Sequence, residues 1–235
     1  MPRAARASVG GMCYHVINRG NDRREVFLKD GDYQAFLKAM GHACIEIPMP
    51  VLAYCLMPNH FHMVLLPKGD GDLSRWMHWV QNTHVRRYHQ HYHRSGHIGQ
   101  GRFKAFPIES DGHLLTVLRY VERNPVRAQL VRRAEQWLWS SVRHWTEPGR
   151  IAEGRPSYLE AGPVQRPRDW LSWVNQAVTA GELEALRRSV VRGAPYGGPI
   201  WVGRTAGELG LESTLRPRGR PKKKVDEDAD AAELI

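Results

Sequence analysis

Residues 51–66 read VLAYCLMPNHFHMVLL, and the architecture turns on them. Residues 51–57 and 60–66 are apolar runs rich in β-branched and aromatic side chains, and only Pro58-Asn59 separates them. Two such runs around a two-residue breaker read as strand, turn, strand, a β-hairpin. Within the second run His60 and His62 are two apart, so both imidazoles project from one face while Phe61 points to the other.

On the N-terminal side, residues 13–18 (CYHVIN) alternate apolar and polar and read as a strand ending at the Arg19-Gly20-Asn21-Asp22 turn. From about Asp30 to Ile47, Tyr33, Phe36, Leu37, Met40 and Cys44 recur at helical spacing until Pro48 and Pro50 stop the pattern. A second helix is expected from Asp72 through Leu73, Trp76, Met77 and Val80 to about Tyr92. Phe103 to Ile108 then reads as a strand, and Asp111 as the N-cap of a helix carrying Leu114, Leu115, Leu118 and Val121. The order strand, helix, strand, strand, helix, strand, helix is that of an α+β, ferredoxin-like split βαβ, an antiparallel sheet with helices on one face and one added helix. Residues 1–147 are expected to form this domain. Residues 148–168, rich in Pro, Gly and Arg without a period, read as a linker, and 169–235 as a helical extension with a basic tail. In the extension, helices are expected near Trp170 to Val178 and after Thr179-x-x-Glu182, whose capping-box form is repeated at Thr205-x-x-Glu208.

The 34 Lys and Arg against 24 Asp and Glu leave the 235-residue chain at +10, with a pI near 9.8, which favours a polyanionic partner. Cys13, Cys44 and Cys55 are odd in number and lack any C-x-x-C, which fits a reducing cytosol rather than a disulfide framework or zinc ribbon. No apolar segment follows the basic MPRAARASVGG, and no apolar run approaches the roughly 18 residues that span a bilayer. A cytoplasmic, nucleoid-associated protein without membrane contact is expected.

Two histidines at i and i+2 on a strand can reach one metal ion, and they also occur on ordinary half-exposed strand faces, so a third ligand has to be found. Tyr120 and Asn124, four residues apart in YVERN, share a helix face, and Pro125 ends that helix near Asn124. They can be a phenol and an amide oxygen aimed together, or a packing aromatic and a C-cap.

Six strings carry a resemblance: YHVINRGNDRREVF (14–27), CLMPNHFHMVLLP (55–67), GQGRFKAFPIE (99–109), LRYVERNPVRAQLV (118–131), WSS (139–141) and LGLESTLRPRGRPKK (209–223). In this order they resemble the REP-associated tyrosine transposases, a branch of the HUH single-stranded DNA nucleases with one catalytic tyrosine. The resemblance implies that His60 and His62 are the metal pair, that Asn124 completes the site and that Tyr120 is the nucleophile. It implies attack on a DNA phosphate to leave a 5′-phosphotyrosine and a free 3′-hydroxyl, on hairpins of repetitive extragenic palindromes. A tyrosine with a pKa near 10 needs activation, and a phosphodiester needs its charge neutralised. A divalent ion, Mg²⁺ or Mn²⁺, supplies the second need on two imidazoles and an amide.

The expected DNA contacts are Arg19, Asn21, Arg23 and Arg24 in the first turn, Arg86 and Arg87 on the second helix, and Gln100, Arg102 and Lys104 around Phe103. Arg123 and Arg127 join them. Arg218 and Arg220 lie in an Arg-Gly-Arg-Pro segment of AT-hook form suited to a narrow minor groove. The C-terminal extension favours a monomer, with a dimer the alternative. Two rivals share the fold: an RNA-recognition-type module, which lacks its aromatic string here, and a non-catalytic DNA-binding regulator, against which intact His60, His62, Tyr120 and Asn124 argue.

Overall fold

The structure, a computed structural model, describes residues 8–145 and 155–216. Four strands, β1 (Cys13–Arg19), β2 (Val51–Met57), β3 (His60–Leu65) and β4 (Lys104–Ile108), form one sheet in the order β2-β3-β1-β4. All neighbours are antiparallel. The hairpin of β2 and β3 turns at Pro58-Asn59 as expected, and a register shift between Val51 and Ala53 accommodates one extra residue.

Strand alternation divides the side chains between two faces. On one face, Phe61 meets Phe36 of α1 (Asp30–Glu46) with ring centroids 5.2 Å apart, and α2 (Asp72–Tyr92) packs beside α1. Opposite-strand register puts His15, Ile17 and Arg19 of β1 on the other face, level with Val64, His62 and His60 of β3. That face is covered by α3 (Gly112–Glu122), which Asp111 caps by accepting from the His113 backbone N–H at 2.8 Å. The added helix therefore lies on the side of the sheet opposite α1 and α2.

After α3, the α-turn α4 (Asn124–Arg127) begins with Pro125 at its first positions, where a missing N–H costs nothing. The helix breaks at Arg123, one residue before the expected Asn124. The extension contains α5 (Trp170–Asn175), α6 (Ala180–Arg192), α7 (Pro199–Glu208) and α8 (Glu212–Leu215). Thr179 and Glu182 make the expected capping box at α6. Thr205 does not repeat it: Pro199 starts α7, and Thr205 sits buried in its last turns.

Part of the stretch read as a linker is packed against the sheet. Val51 N–H donates to Tyr158 O and Val51 O accepts in return from Glu160 N–H, both at 2.9 Å, while buried Arg166 donates to Leu52 O and Ala161 O. Farther along the same edge Leu56 N–H donates to Trp139 O at 2.9 Å. At the opposite edge Tyr196 exchanges hydrogen bonds with Pro107 and Glu109. These segments show no hydrophobic period because backbone hydrogen bonds to an edge strand set their path, and single side chains such as Leu159 and Tyr196, not a repeating apolar face, enter the core.

Candidate metal and nucleophile site

β3 positions His60 and His62, and α3 brings Tyr120 down onto them. The His62 and Tyr120 rings meet edge to face at 5.6 Å between centroids, and the His60 and His62 rings are 5.0 Å apart. All three are buried, Tyr120 retaining 6% of its surface and His62 1%. The two expected groups of the site thus converge on one face of the sheet.

Each histidine is oriented by a neighbour. His60 Nδ1 donates to Asn59 Oδ1 at 2.6 Å, and the Asn59 amide is fixed in turn by donating to Arg23 O at 3.0 Å. This leaves His60 Nε2 as a lone-pair donor. His62 Nδ1 shares a hydrogen bond of 2.9 Å with Nε2 of His15, a fully buried residue of β1 whose own Nδ1 has no partner among the described residues. His15 also lies 6.1 Å from the Tyr120 ring and 4.9 Å from Phe106. Sequence reasoning missed His15. The signal was its parity with Arg19 on β1, but only the register between β1 and β3 brings it to His62.

Burial holds the pKa of His60 down to about 4, helped by the charges of Arg19 and Arg127. Burial also lowers His15 to about 3 and His62 well below its ordinary value, where His15, His60 and the two arginines add to the effect. All three imidazoles are neutral at pH 7, the form in which nitrogen binds a metal.

Asn124 is fully buried beside this group. Its amide nitrogen donates to Tyr120 O at 2.8 Å and to Val121 O at 3.4 Å, carbonyls of the last turn of α3. Its oxygen accepts from Arg127 Nη2 at 2.7 Å, and the Arg127 guanidinium lies 5.6 Å from the Tyr120 ring centroid. Asn124 therefore caps α3 and keeps one oxygen lone pair. The donor set of two neutral imidazoles and an amide oxygen fits a divalent ion. Two residues from Tyr120, Glu122 anchors the helix: Ser141 and the indoles of Trp145 and Trp170 donate to its buried carboxylate at 2.6, 3.1 and 2.8 Å.

The expected DNA contacts divide. Arg19, Asn21, Arg23, Arg24, Arg86, Gln100, Arg102, Lys104 and Arg127 are exposed. The glycine loop is tied to the first turn by Asn21 N–H donating to Ile98 O (2.7 Å) and Gln100 N–H to Arg19 O (2.8 Å), so these two groups adjoin. Gly20 makes the turn fit, since a Cβ there would lie 2.1 Å from Arg24 O. Arg87 is a different case: it pairs with fully buried Asp32 at 2.7 Å, and Tyr92 donates to the same carboxylate at 2.6 Å. Both tie α2 to the start of α1, because a buried carboxylate needs its partners. Arg123 is half-buried, and Arg218 and Arg220 lie outside the described residues.

Among the described residues one group of acidic and histidine side chains, Glu109, Asp111 and His113, has ligand atoms within 4.8 Å of one another. It is occupied internally. Glu109 accepts from Gly198 N–H at 2.7 Å, and Asp111 binds both the backbone and the ring of His113. It also lies at the end of α3 away from Tyr120, about 12 Å off at helical rise. No described helix is long and apolar enough to cross a membrane.

The chain is similar to known proteins in sequence and in fold. The family model for IS200-like transposases matches residues 8–124, ending at Asn124. A Haemophilus influenzae protein described as a REP-associated tyrosine transposase is 28% identical over 143 residues, covering 56% of this chain and 80% of that one. A solved structure of a REP-associated tyrosine transposase bound to a REP hairpin superposes with a TM-score of 0.53 at 22% identity, over 70% of this chain and 98% of that one, a likeness of fold.

Proposed function

The chain belongs to the IS200-like transposases, in their REP-associated tyrosine transposase branch, and we propose accordingly that it cuts and rejoins single-stranded DNA beside a REP-type hairpin through Tyr120. The reading rests on the edge-to-face contact of Tyr120 with His62 within a buried group of neutral imidazoles. The phenolic oxygen of Tyr120 bonds to the phosphorus, the bond to the 3′-oxygen breaks, and that oxygen leaves as a 3′-hydroxyl with a 5′-phosphotyrosine on the protein. Attack by the 3′-hydroxyl of the same or another strand reverses the step. No external energy source is required.

His60 and His62 would hold a divalent ion, Mg²⁺ or Mn²⁺, through Nε2, with the free lone pair of the Asn124 oxygen as third donor. A divalent ion held by these residues would supply charge neutralisation for the phosphate. Asn59 and His15 keep the ring nitrogens aimed, and α3 keeps water from the phenol by burying its ring. Arg127, already beside the phenol, is positioned to meet a phosphate, as are Arg19 and, along the first turn, Asn21, Arg23 and Arg24. Arg86, Arg123 and the tail residues Arg218 and Arg220 are proposed backbone contacts. Residues 1–147 supply the chemistry in this reading, and the extension after 148–168 supports DNA. Covered sheet edges favour a monomer, and a DNA substrate favours a cytoplasmic, nucleoid-associated location.

The test is cleavage of a labelled hairpin oligonucleotide with a single-stranded flank. We expect cleavage with Mn²⁺ or Mg²⁺, none in EDTA, and loss of activity by about two orders of magnitude or more in His60→Ala and His62→Ala. Asn124→Ala should fall less and recover partly with excess Mn²⁺. Full activity in EDTA would rule out a metal at His60 and His62.

A further inference from the structure

Beside the proposed cutting site lies a cleft of about 280 Å³ that shares Arg19 with the steps above and is otherwise unused by them. Its apolar walls are Ile17 of β1 and Val190 and Val191 of α6, and Gln100, Arg102 and Lys104 form its polar rim. Strand register fixes where it opens. Ile17 faces His62 on one neighbouring strand and Lys104 on the other, and Arg19 faces His60. Directly opposed residues on one face of a sheet are about 5 Å apart, so the cleft floor adjoins the histidine pair. Val191, near the end of α6, leaves 50% of its surface in water. The rim residues are exposed, and Arg102 and Lys104 belong to no ion pair among the described residues.

We propose that this cleft receives one unstacked nucleobase of the DNA single strand next to the phosphate at His60 and His62, a role that rests on the cleavage reading above. Branched aliphatic side chains on β1 and α6 form walls against which a flat ring packs. The amide of Gln100 can donate to and accept from a base edge, and Arg102 and Lys104 answer the phosphates on either side. A base inside a duplex cannot enter such a cleft, so the pocket selects a single strand, and the amide gives it a preference among bases. The extension takes part directly, since α6 supplies a wall that the sheet alone lacks.

The experiment is abasic scanning of the flank. Hairpin oligonucleotides, each lacking one flank base, are titrated by fluorescence anisotropy against the full chain in EDTA, so that binding is read without cleavage. We expect one position at which base loss weakens binding by about 5- to 150-fold. In Val191→Ala, and separately in Gln100→Ala, that penalty should shrink because the intact oligonucleotide binds less well while the abasic one does not change. Both substitutions are at exposed positions, and thermal melting checks that they fold. A penalty of the same size in both variants would put the base elsewhere and overturn the proposal. So would hairpin binding and cleavage with no penalty at any position, an outcome that leaves the cleavage reading standing. Absence of both binding and cleavage by the wild-type chain would overturn that reading itself.

Discussion

Among single residues, the most informative side chain is His15. Buried and unable to charge near neutral pH, it has one hydrogen bond among the described residues, at 2.9 Å to His62. When His62 Nδ1 donates to His15 Nε2, His62 Nε2 is free to bind a metal; the reverse tautomer blocks it. His15→Leu keeps the volume and removes the acceptor, so Mn²⁺ affinity measured by calorimetry should fall about 10- to 100-fold. His15→Gln places an amide where Nε2 was and should restore most of it. Equal affinities in wild type and His15→Leu would make His15 a packing residue. The shared face of His60 and His62, and that of Tyr120 and Asn124, are legible in the sequence because a strand period and a helix period set side-chain directions locally, whereas their joining in one site is implied only by the family resemblance. His15 is not legible, since its partner is 47 residues away and only strand register joins them. Arg87 escapes a sequence reading for the same reason: the buried Asp32 that engages it is 55 residues distant.

Among the elements, α1, α2, β2 and the hairpin turn are legible almost to the residue, because prolines, glycines and apolar spacing mark their ends. Their placement on the two faces is not, because nothing local says which side of a sheet a helix takes. α2 carries one consequence of its burial. His84 packs against Phe27 and Phe36 with ring centroids 5.0 and 5.2 Å apart, and burial lowers its pKa from 6.5 to about 4. The unfolded chain therefore binds the proton first. Stability is unaffected by this group above pH 6.5 and falls as pH drops from 6.5 to about 4, on the order of 1 kcal/mol per pH unit. His84→Leu, which cannot charge, should flatten that part of the melting-temperature profile. An unchanged slope would show that His84 takes its proton in the folded state as readily as in the unfolded one.

For the molecule as a whole, the segments after α4 do two things the core sheet cannot do for itself. Trp137, Trp139, Tyr158 and Arg166 cover the β2 edge and Tyr196 the β4 edge, so neither edge offers a free ladder to a second copy. Ser141, Trp145 and Trp170 also grip Glu122, and so fix the end of α3 from which Tyr120 projects. Tyr158 and Arg166 are not legible in the stretch of Pro, Gly and Arg that carries them, because their places come from edge-strand pairing and a buried guanidinium contact and not from a repeating pattern. Cutting and rejoining both depend on Tyr120 as the nucleophile. The decisive measurement compares wild type with Tyr120→Phe on a labelled hairpin oligonucleotide in Mn²⁺, reading the covalent protein–DNA species on a denaturing gel and hairpin affinity in parallel. Wild type should give an adduct and a 3′-hydroxyl product, and Tyr120→Phe neither, with hairpin binding within about twofold because only one oxygen is lost. An adduct that persists in Tyr120→Phe would contradict this assignment, as would a wild-type chain that binds the hairpin and forms none.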